Sequence, residues 1–450
     1  MDRQLTSGSV TGNLIRFSVP YLIACFLQTF YGLADLFITG LFNGAAVITA
    51  VAVGSQIMHM VTVVIAGMVM GSTVAIARAA GAGKDREAGA AVASSALVFS
   101  VIALLSAALL LILEGALLRC LATPAEAYPD AFRYCRITFA GVPAIVAFNV
   151  ISGIFRGVGD TRRPMIIVAV TGVINVVLDF LLIGPMHLGA GGAAAATVAS
   201  QAISVVIAAA VLKRTGAGIG IAFKDMRPDR DILFGILRVG FPVALQDGFI
   251  QVSFLMITAI ANSRGVNVAA AVGIVEKIIS FLFLVPSAML SAVSAIAAQN
   301  AGAGEHRRAV RTLWSAVSVC VVFGTAVFVL CQFFAGPFVS LFTRSEPEVV
   351  RLGAQYLRSY SADCIFAGIQ FCFSGFFCAY EKAFYSFLHN IISIILVRVP
   401  GAYLASERFP DTLFPMGLAA PAGSLLSSVI CIVIFCTVFR GIIKRTEGAV

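Results

Sequence analysis

The chain has 450 residues, of which 60% are hydrophobic and 12% are charged, and its formal net charge is +9. In soluble globular proteins roughly a quarter of all residues are charged, about twice the share found here. The basic residues are scattered in short segments between apolar runs and form no long basic patch. This pattern argues against nucleic acid as a partner and predicts a membrane protein of many spans, surrounded by the lipid bilayer.

Twelve apolar runs are long enough to cross a bilayer when the chain is divided at its charged and Gly/Pro-rich clusters. We therefore predict an all-α membrane protein with twelve transmembrane helices. The predicted spans are 14–40, 47–72, 92–113, 137–156, 165–184, 191–212, 236–261, 270–298, 312–334, 360–380, 386–405 and 417–440.

Lysine and arginine are divided unevenly between the two ends of these helices. One set of ends holds 21 of the 31 basic residues, and the opposite set holds eight. An excess of positive charge marks the cytoplasmic side of a membrane protein. We therefore predict a multi-pass protein of the plasma (inner) membrane with both termini in the cytoplasm.

The sequence also repeats itself at an offset of about 222 residues. RFSVP at Arg16–Pro20 aligns with RVGFP at Arg238–Pro242, and Tyr134 aligns with Tyr356. Because this offset holds six helices, both halves enter the membrane in the same direction, and a pseudo-two-fold axis along the membrane normal relates them.

The repeat and the charged segment between its halves define the expected domains. We predict an N-terminal six-helix lobe over 1–212, a cytoplasmic linker over 213–235 and a C-terminal six-helix lobe over 236–450. A cavity between two such bundles is the expected place for a ligand.

The segment Met165–Gly184, MIIVAVTGVINVVLDFLLIG, carries an acid inside an apolar span. Asp179 follows Asn175 by one helical turn on the same face, and the segment contains no basic residue. A charged side chain in such a helix costs about 2.5 to 3.5 kcal/mol on insertion scales, so Asp179 is a candidate functional residue.

Depth in the membrane places a second acid and a hydroxyl near Asp179. Asp35 and Asp179 each lie five residues before the outer end of their predicted helix, roughly 7 to 8 Å deep at 1.5 Å per residue. Thr197, on the helix that returns inward, falls in the same layer. We predict that Asp35, Asn175, Asp179 and Thr197 converge in the outer half of the N-terminal lobe.

Such a cluster fits proton or cation coupling. Two neighbouring carboxyl groups in apolar surroundings hold a proton more readily than one carboxyl group in water, and Asn175 and Thr197 would orient them. The membrane potential supplies about 2.3 kcal/mol per charge per 100 mV, enough to drive export coupled to inward H⁺ or Na⁺. The alternative is that both acids have a structural role, in which each Asp caps a kink or bonds a neighbouring helix. Asp35 lies near a helix end, from which its side chain reaches the membrane–water interface.

Other polar residues within the spans are weaker candidates. Amides that recur along the helices either line the cavity or join helices; they are Gln28, Gln56, Asn149, Gln201, Gln251 and Gln370. Asp247 and Asp363 are candidate charges of the C-terminal lobe, where pairing between helices is the favoured interpretation. Neither His nor Cys has metal-ligand spacing, so the sequence predicts no cofactor and no metal apart from Na⁺ as a coupling ion.

Four sequence pieces resemble one transporter family. They are the AGAGK turn after helix 2, FRGVGDTRRPM at 155–165, INVVLDFLLIG at 174–184 and GAGGAAAATVASQ at 189–201. Through them the chain resembles the multidrug and toxic compound extrusion (MATE) family over nearly its whole length. The resemblance implies an outward-directed, cation-coupled exporter that works by alternating access and is not an enzyme. In proton-coupled members similar to DinF, the N-lobe acids correspond to Asp35 and Asp179, with Asn175 and Thr197 beside them.

The C-terminal lobe departs from one branch of this family. NorM-like members carry acids there for Na⁺, and the matching positions are Ile250 or Gln251 and Ala367. Asp247 and Asp363 lie about one turn earlier in the respective helices. A shifted C-lobe site therefore stays open, although its absence is the simpler interpretation.

The leading hypothesis is a monomeric antiporter that exports amphipathic, often cationic, organic compounds in exchange for H⁺ or Na⁺. The alternative is a lipid-linked oligosaccharide flippase, which would need several cations in its cavity, whereas the embedded cations are Lys277 and Arg398. An intramembrane enzyme would need a motif such as GxGD or HExxH, and the sequence contains neither.

Overall fold

The computed structural model describes residues 5–216, 226–343 and 346–441. Within these ranges, ten helices are long and apolar enough to cross a membrane, or twelve when each of two bent pairs counts as one span, in agreement with the twelve predicted spans. The helices are α1 Val10–Phe42, α2 Ala45–Gly81, α3 Asp85–Cys120, α4 Tyr128–Ala140, α5 Val142–Gly157, α6 Arg162–Ile183, α7 Gly189–Thr215, α8 Arg230–Ser263, α9 Val266–Leu282, α10 Leu284–Gly302, α11 His306–Ser340, α12 Pro347–Tyr360, α13 Asp363–Ala379, α14 Ala383–Ser393, α15 Val399–Arg408, α16 Phe414–Gly417 and α17 Ala419–Val438.

Two of the predicted spans are sharply bent pairs of helices. The span predicted at 137–156 consists of α4 and α5, which meet at an angle of 46°, and the one at 360–380 consists of α12 and α13, which meet at 43°. In the first pair, Pro143 lies in the first turn of α5, where a residue without an N–H is tolerated. Both α4 and α12 begin well before the predicted start, because their charged residues exclude them from a search for apolar runs.

The predicted span at 386–405 is also irregular. Between α14 and α15 the chain forms a π-helical segment, Ile394–Arg398. Pro400 follows in the first turn of α15 and has no N–H to continue the α-helical hydrogen bonds. The irregular turn therefore sits directly before a proline, and it carries Arg398.

The chain divides into two compact units. Among the described residues, the first unit comprises Val19–Gly240, and the second comprises Leu5–Ser18 and the residues from Phe241 onward. The linker predicted at 213–235 lies partly outside the described residues, at 217–225, and its described ends belong to α7 and α8 or adjoin them.

The first turns of α8 belong to the first unit because they pack closely on α2. Ile236 is fully buried in the core of this unit. A Cβ atom on Gly71 would overlap the carbonyl oxygen of Ile236, and one on Gly240 would overlap the carbonyl oxygen of Met68. The two backbones therefore approach each other to a distance that only glycine allows.

We predict that Gly71→Ala destabilises the protein by about 1 to 3 kcal/mol, because the added methyl group has only backbone to displace. Thermal unfolding of the purified protein in detergent measures this loss. Gly235→Ala, on α8 with open space around its Cβ position, is the matched control and should leave the midpoint unchanged or slightly raised. Equal midpoints for wild type and Gly71→Ala would contradict this helix contact.

Candidate functional site

Two acids meet inside the first unit. Asp35 lies on α1 and is 9% exposed, whereas Asp179 lies on α6 and is fully buried. Their carboxyl groups are within hydrogen-bonding reach of each other. The structure therefore brings together the two carboxyl groups that the sequence predicted to share one layer of the N-terminal lobe.

Thr197 on α7 touches this pair directly. Its Oγ1 donates a hydrogen bond to Asp35 Oδ2 at 3.3 Å and another to the carbonyl oxygen of Ala193 at 3.0 Å. Asn175 is buried one turn before Asp179, and its Nδ2 has no hydrogen-bond partner among the described residues. Three helices thus supply the four predicted residues, and the Asn175 amide keeps a free donor.

The pair has no positive partner in the part of the chain that the structure describes. No lysine or arginine there forms an ion pair with Asp35 or Asp179. Asp35 Oδ1 and both carboxylate oxygens of Asp179 are buried without a donor. Two negative charges in contact away from water repel each other, so this arrangement suits a proton or a small cation shared between them.

Tyr134 belongs to the same cluster and was missed as a site residue. It lies on α4, is 3% exposed, and is close enough to Asp35 and Asp179 to interact with their charges. Its ring fills the space that a Cβ atom on Gly54 would occupy. The repeat, in which Tyr134 aligns with Tyr356, was the one sequence signal that singled it out.

A close contact between α1 and α6 supports the acid pair. The Tyr31 hydroxyl donates to the carbonyl oxygen of Val168 at 2.8 Å, and its ring occupies the space of a Cβ atom on Gly172. Tyr31 lies one turn before Asp35, and Gly172 lies on the same helix as Asp179. The fit of ring and glycine therefore sets how near the two carboxyl groups come.

The helices of the second unit also carry buried and half-buried acids. Asp363, at the start of α13, is fully buried near Arg398. Asp247 on α8 is half-buried and lies near Cys378. Glu276 on α9 accepts a hydrogen bond from Thr258 at 3.3 Å.

Arg398 gives two of these acids a positive charge, which the acid pair of the first unit lacks among the described residues. It interacts electrostatically with Asp363 and Glu276, donates to the Tyr360 hydroxyl at 2.6 Å and lies over the Phe254 ring at 4.9 Å. The acids near Arg398 are therefore partly balanced, unlike the pair in the first unit.

The six candidate amides differ in exposure. Gln370 is buried and donates to Ser424 Oγ at 3.1 Å, and Asn149 is half-buried and donates to the carbonyl oxygen of Ile145 at 2.9 Å. The first of these contacts joins helices of the second unit, and the second lies within one helix. The remaining amides are the half-buried Gln201 and Gln251 and the exposed Gln28 and Gln56.

The MatE family model matches the chain twice, at residues 20–181 and 242–404. The matches begin 222 residues apart, which confirms the internal repeat, and together they cover most of the chain. The chain belongs to the MatE family. Members of this family are ion-coupled membrane transporters and not enzymes, so the predicted family resemblance and the absence of an enzymatic role are both confirmed.

Similar proteins cover nearly the whole chain. A probable multidrug resistance protein, YpnP, of Bacillus subtilis (strain 168) is 28% identical over 89% of this chain and 89% of its own. An FAD transporter of Shewanella oneidensis is 27% identical over 95% and 94%. The crystal structure of a MATE protein in complex with MaL6 superposes with a TM-score of 0.90 at 25% identity, over 98% of this chain and 99% of that one. The chain therefore has the twelve-span MATE fold.

We predict that Gly172→Ala lowers transport far more than it lowers the amount of protein in the membrane, because the added methyl group displaces Tyr31 and moves α1 away from α6. Efflux rate normalised to protein content measures the effect, and Gly32→Ala, which meets open space on α1, is the control.

The double variant Gly172→Ala with Tyr31→Leu tests the cause. A smaller side chain at position 31 makes room for the methyl group, so part of the lost activity should return. Additive losses in the double variant would show that the contact does not position the acids.

Proposed function

We propose that this MatE-family protein is a secondary antiporter that exports amphipathic, often cationic, organic compounds in exchange for protons. It works by alternating access, as a monomer of the plasma membrane with both termini in the cytoplasm. Na⁺ is the second candidate for the coupling ion. Lipid-linked oligosaccharide transport is the alternative function.

The observation that carries this proposal is the contact between Asp35 and Asp179 without a positive partner among the described residues. A transporter coupled to a cation needs a site whose charge changes when the ion binds. A pair of carboxyl groups that share a proton is such a site, because its net charge changes by one when the proton enters or leaves. Thr197, Asn175 and Tyr134 supply the polar groups around it.

The coupling follows from the exchange of this charge. When the site is open to the outside, a proton binds between the carboxyl groups, and a cationic substrate loses the negative charge that attracted it. When the site is open to the cytoplasm, the proton leaves, and the restored charge favours binding of the next substrate. One proton entering for one monovalent cation leaving moves no net charge, so the pH difference drives that exchange. For a neutral substrate the cycle carries one net charge inward, and the membrane potential adds about 2.3 kcal/mol per charge per 100 mV.

The flippase alternative has less support. A pyrophosphate-bearing substrate needs several free cationic side chains. Arg398 is engaged by Tyr360 and Phe254, and the buried Arg156 lies over the Tyr21 ring at 5.3 Å. These contacts favour a substrate without a strongly charged phosphate group, as do the multidrug names of several relatives. The FAD transporter is the relative that argues the other way, because FAD contains a pyrophosphate.

We predict that Asp179→Asn abolishes resistance to organic cations in an efflux-deficient host while expression stays near the wild-type level, since the amide cannot exchange a proton. Asp35→Asn should have the same effect, and the double variant should be no worse than either single one, because the pair works as one site. Glu114→Gln, at a buried acid of the same unit outside the pair, is the matched control. Wild-type resistance with Asp179→Asn would refute the role of the pair.

We predict that proteoliposomes given only a proton gradient move substrate in the direction opposite to the protons, and that this exchange disappears in Asp179→Asn. A Na⁺ gradient of equal size, applied alone, should be without effect. Transport that requires Na⁺ and ignores the proton gradient would assign the coupling ion to Na⁺ and make Asp247 and Asp363 the residues to test next.

A further inference from the structure

A basic groove lies on the second unit, away from all the acids described above. Its volume is about 530 Å³. One wall is the segment Gly8–Thr11, which leads into α1, and the other is one face of α11 with Arg308, Arg311, Trp314 and two serines. The residues on α11 follow the spacing of a single helix face.

The N-terminal wall is fixed in place by Arg308. Its Nη1 donates to the carbonyl oxygen of Gly8 at 3.0 Å, its Nη2 to that of Ser7 at 3.1 Å, and its Nε to Asn300 Oδ1 at 3.2 Å. A guanidinium group has five N–H donors, so two of them stay available to a ligand. Hydrogen bonds therefore fix the position of the N-terminal wall relative to α11.

The charge of the groove is positive and exposed. Arg311 is exposed, and neither it nor Arg308 forms an ion pair with an acid of the described residues. Ser315 and Ser318 also line this space, and the Ser318 hydroxyl donates to the carbonyl oxygen of Trp314 at 2.9 Å. Two neighbouring guanidinium groups suit a phosphate group, which accepts several hydrogen bonds and carries negative charge.

Trp314 places this groove at the edge of the membrane. It is the only tryptophan of the chain, is 46% exposed, and packs edge-to-face against Phe373 and Phe435. Tryptophan is enriched where the acyl chains meet the headgroups. At the headgroup level of a bilayer, the phosphate groups are those of the lipids.

The groove continues into an apolar stripe on the same helix. After Ser318, the face of α11 carries Val322, Val329 and Phe333, all of which are exposed, at steps of four, seven and four residues. A ligand that follows this face has a charged end beside the arginines and a hydrocarbon part beside these side chains. A soluble phosphate uses only the first of these features, whereas a phospholipid uses both.

We infer that the groove between the start of α1 and the face of α11 binds the headgroup of an anionic phospholipid, with one acyl chain along the stripe below it. The bound lipid would then contact Arg308, which holds the N-terminal segment against α11. Each basic residue near a membrane surface contributes about 1 kcal/mol to the attraction of anionic lipid, which is about a fivefold change in affinity per arginine.

The single tryptophan allows a direct test with the full-length protein. Brominated phospholipids quench a tryptophan that they touch, so the quenching of Trp314 by brominated phosphatidylglycerol, relative to brominated phosphatidylcholine, reports lipid choice at the groove. We expect phosphatidylglycerol to be preferred at least about fivefold. Arg311→Gln should remove most of this preference, and Arg311→Lys should keep it.

Arg307→Gln is the matched control, because it removes the same charge from an exposed neighbour outside the groove and should leave the preference unchanged. Equal losses for the two glutamine variants, or equal quenching by both lipids in the wild type, would overturn the inference. Millimolar inorganic phosphate or glycerol phosphate should not relieve the quenching. If either does so as readily as anionic lipid, the site binds free phosphate and the lipid assignment is wrong.

Discussion

The central constraint in this molecule is a pair of negative side chains that nothing described in the chain neutralises. Asp35 and Asp179 meet at a place where water is nearly excluded, and at low dielectric their charges repel strongly. Electrostatic attraction between the two acids therefore cannot hold them together. Their helices are held by packing of the Tyr31 ring against Gly172, and Thr197 donates a hydrogen bond to the Asp35 carboxylate. The surrounding helices therefore hold the two acids together against this repulsion.

The two halves of the chain share a framework but differ in charge. Tyr134 and Tyr356 occupy matching positions of the repeat, and both are buried beside acids. In the second half, however, Arg398 lies near those acids, on a π-helical turn that has no counterpart in α6. The two halves thus share the helices and the tyrosines, whereas the acid pair of the first half has no basic partner among the described residues and the acids near Arg398 in the second are partly balanced. This difference favours coupling through the first half.

Much of this arrangement follows from the sequence because a bilayer leaves few choices. The lengths of the apolar runs predicted the spans. Asp179 was identified as an acid inside such a span without a basic neighbour, and Asp35 because it lies at the same predicted depth. The bends of α4–α5 and α12–α13 could not be predicted in this way, because the charged residues of α4 and α12 interrupt the apolar pattern. Tyr134 was missed as a site residue because a buried tyrosine is common in any core, and only its distance from the acids distinguishes it. The groove beside Trp314 depends on the N-terminal segment folding back onto α11, which no local pattern indicates.

The division into units also limits how such a protein can change conformation. Among the described residues the chain passes from one unit to the other at two points, after Ser18 and after Gly240, and both points lie within a long helix. A proline follows two residues later in each case, at Pro20 and Pro242, where the ring removes one backbone hydrogen bond of the helix. Each of these turns therefore combines a boundary between units with a stretch of helix that has lost a backbone hydrogen bond. Asp35 lies beyond the first of them on α1 and within the same unit as Asp179, so bending at that turn leaves the two acids together.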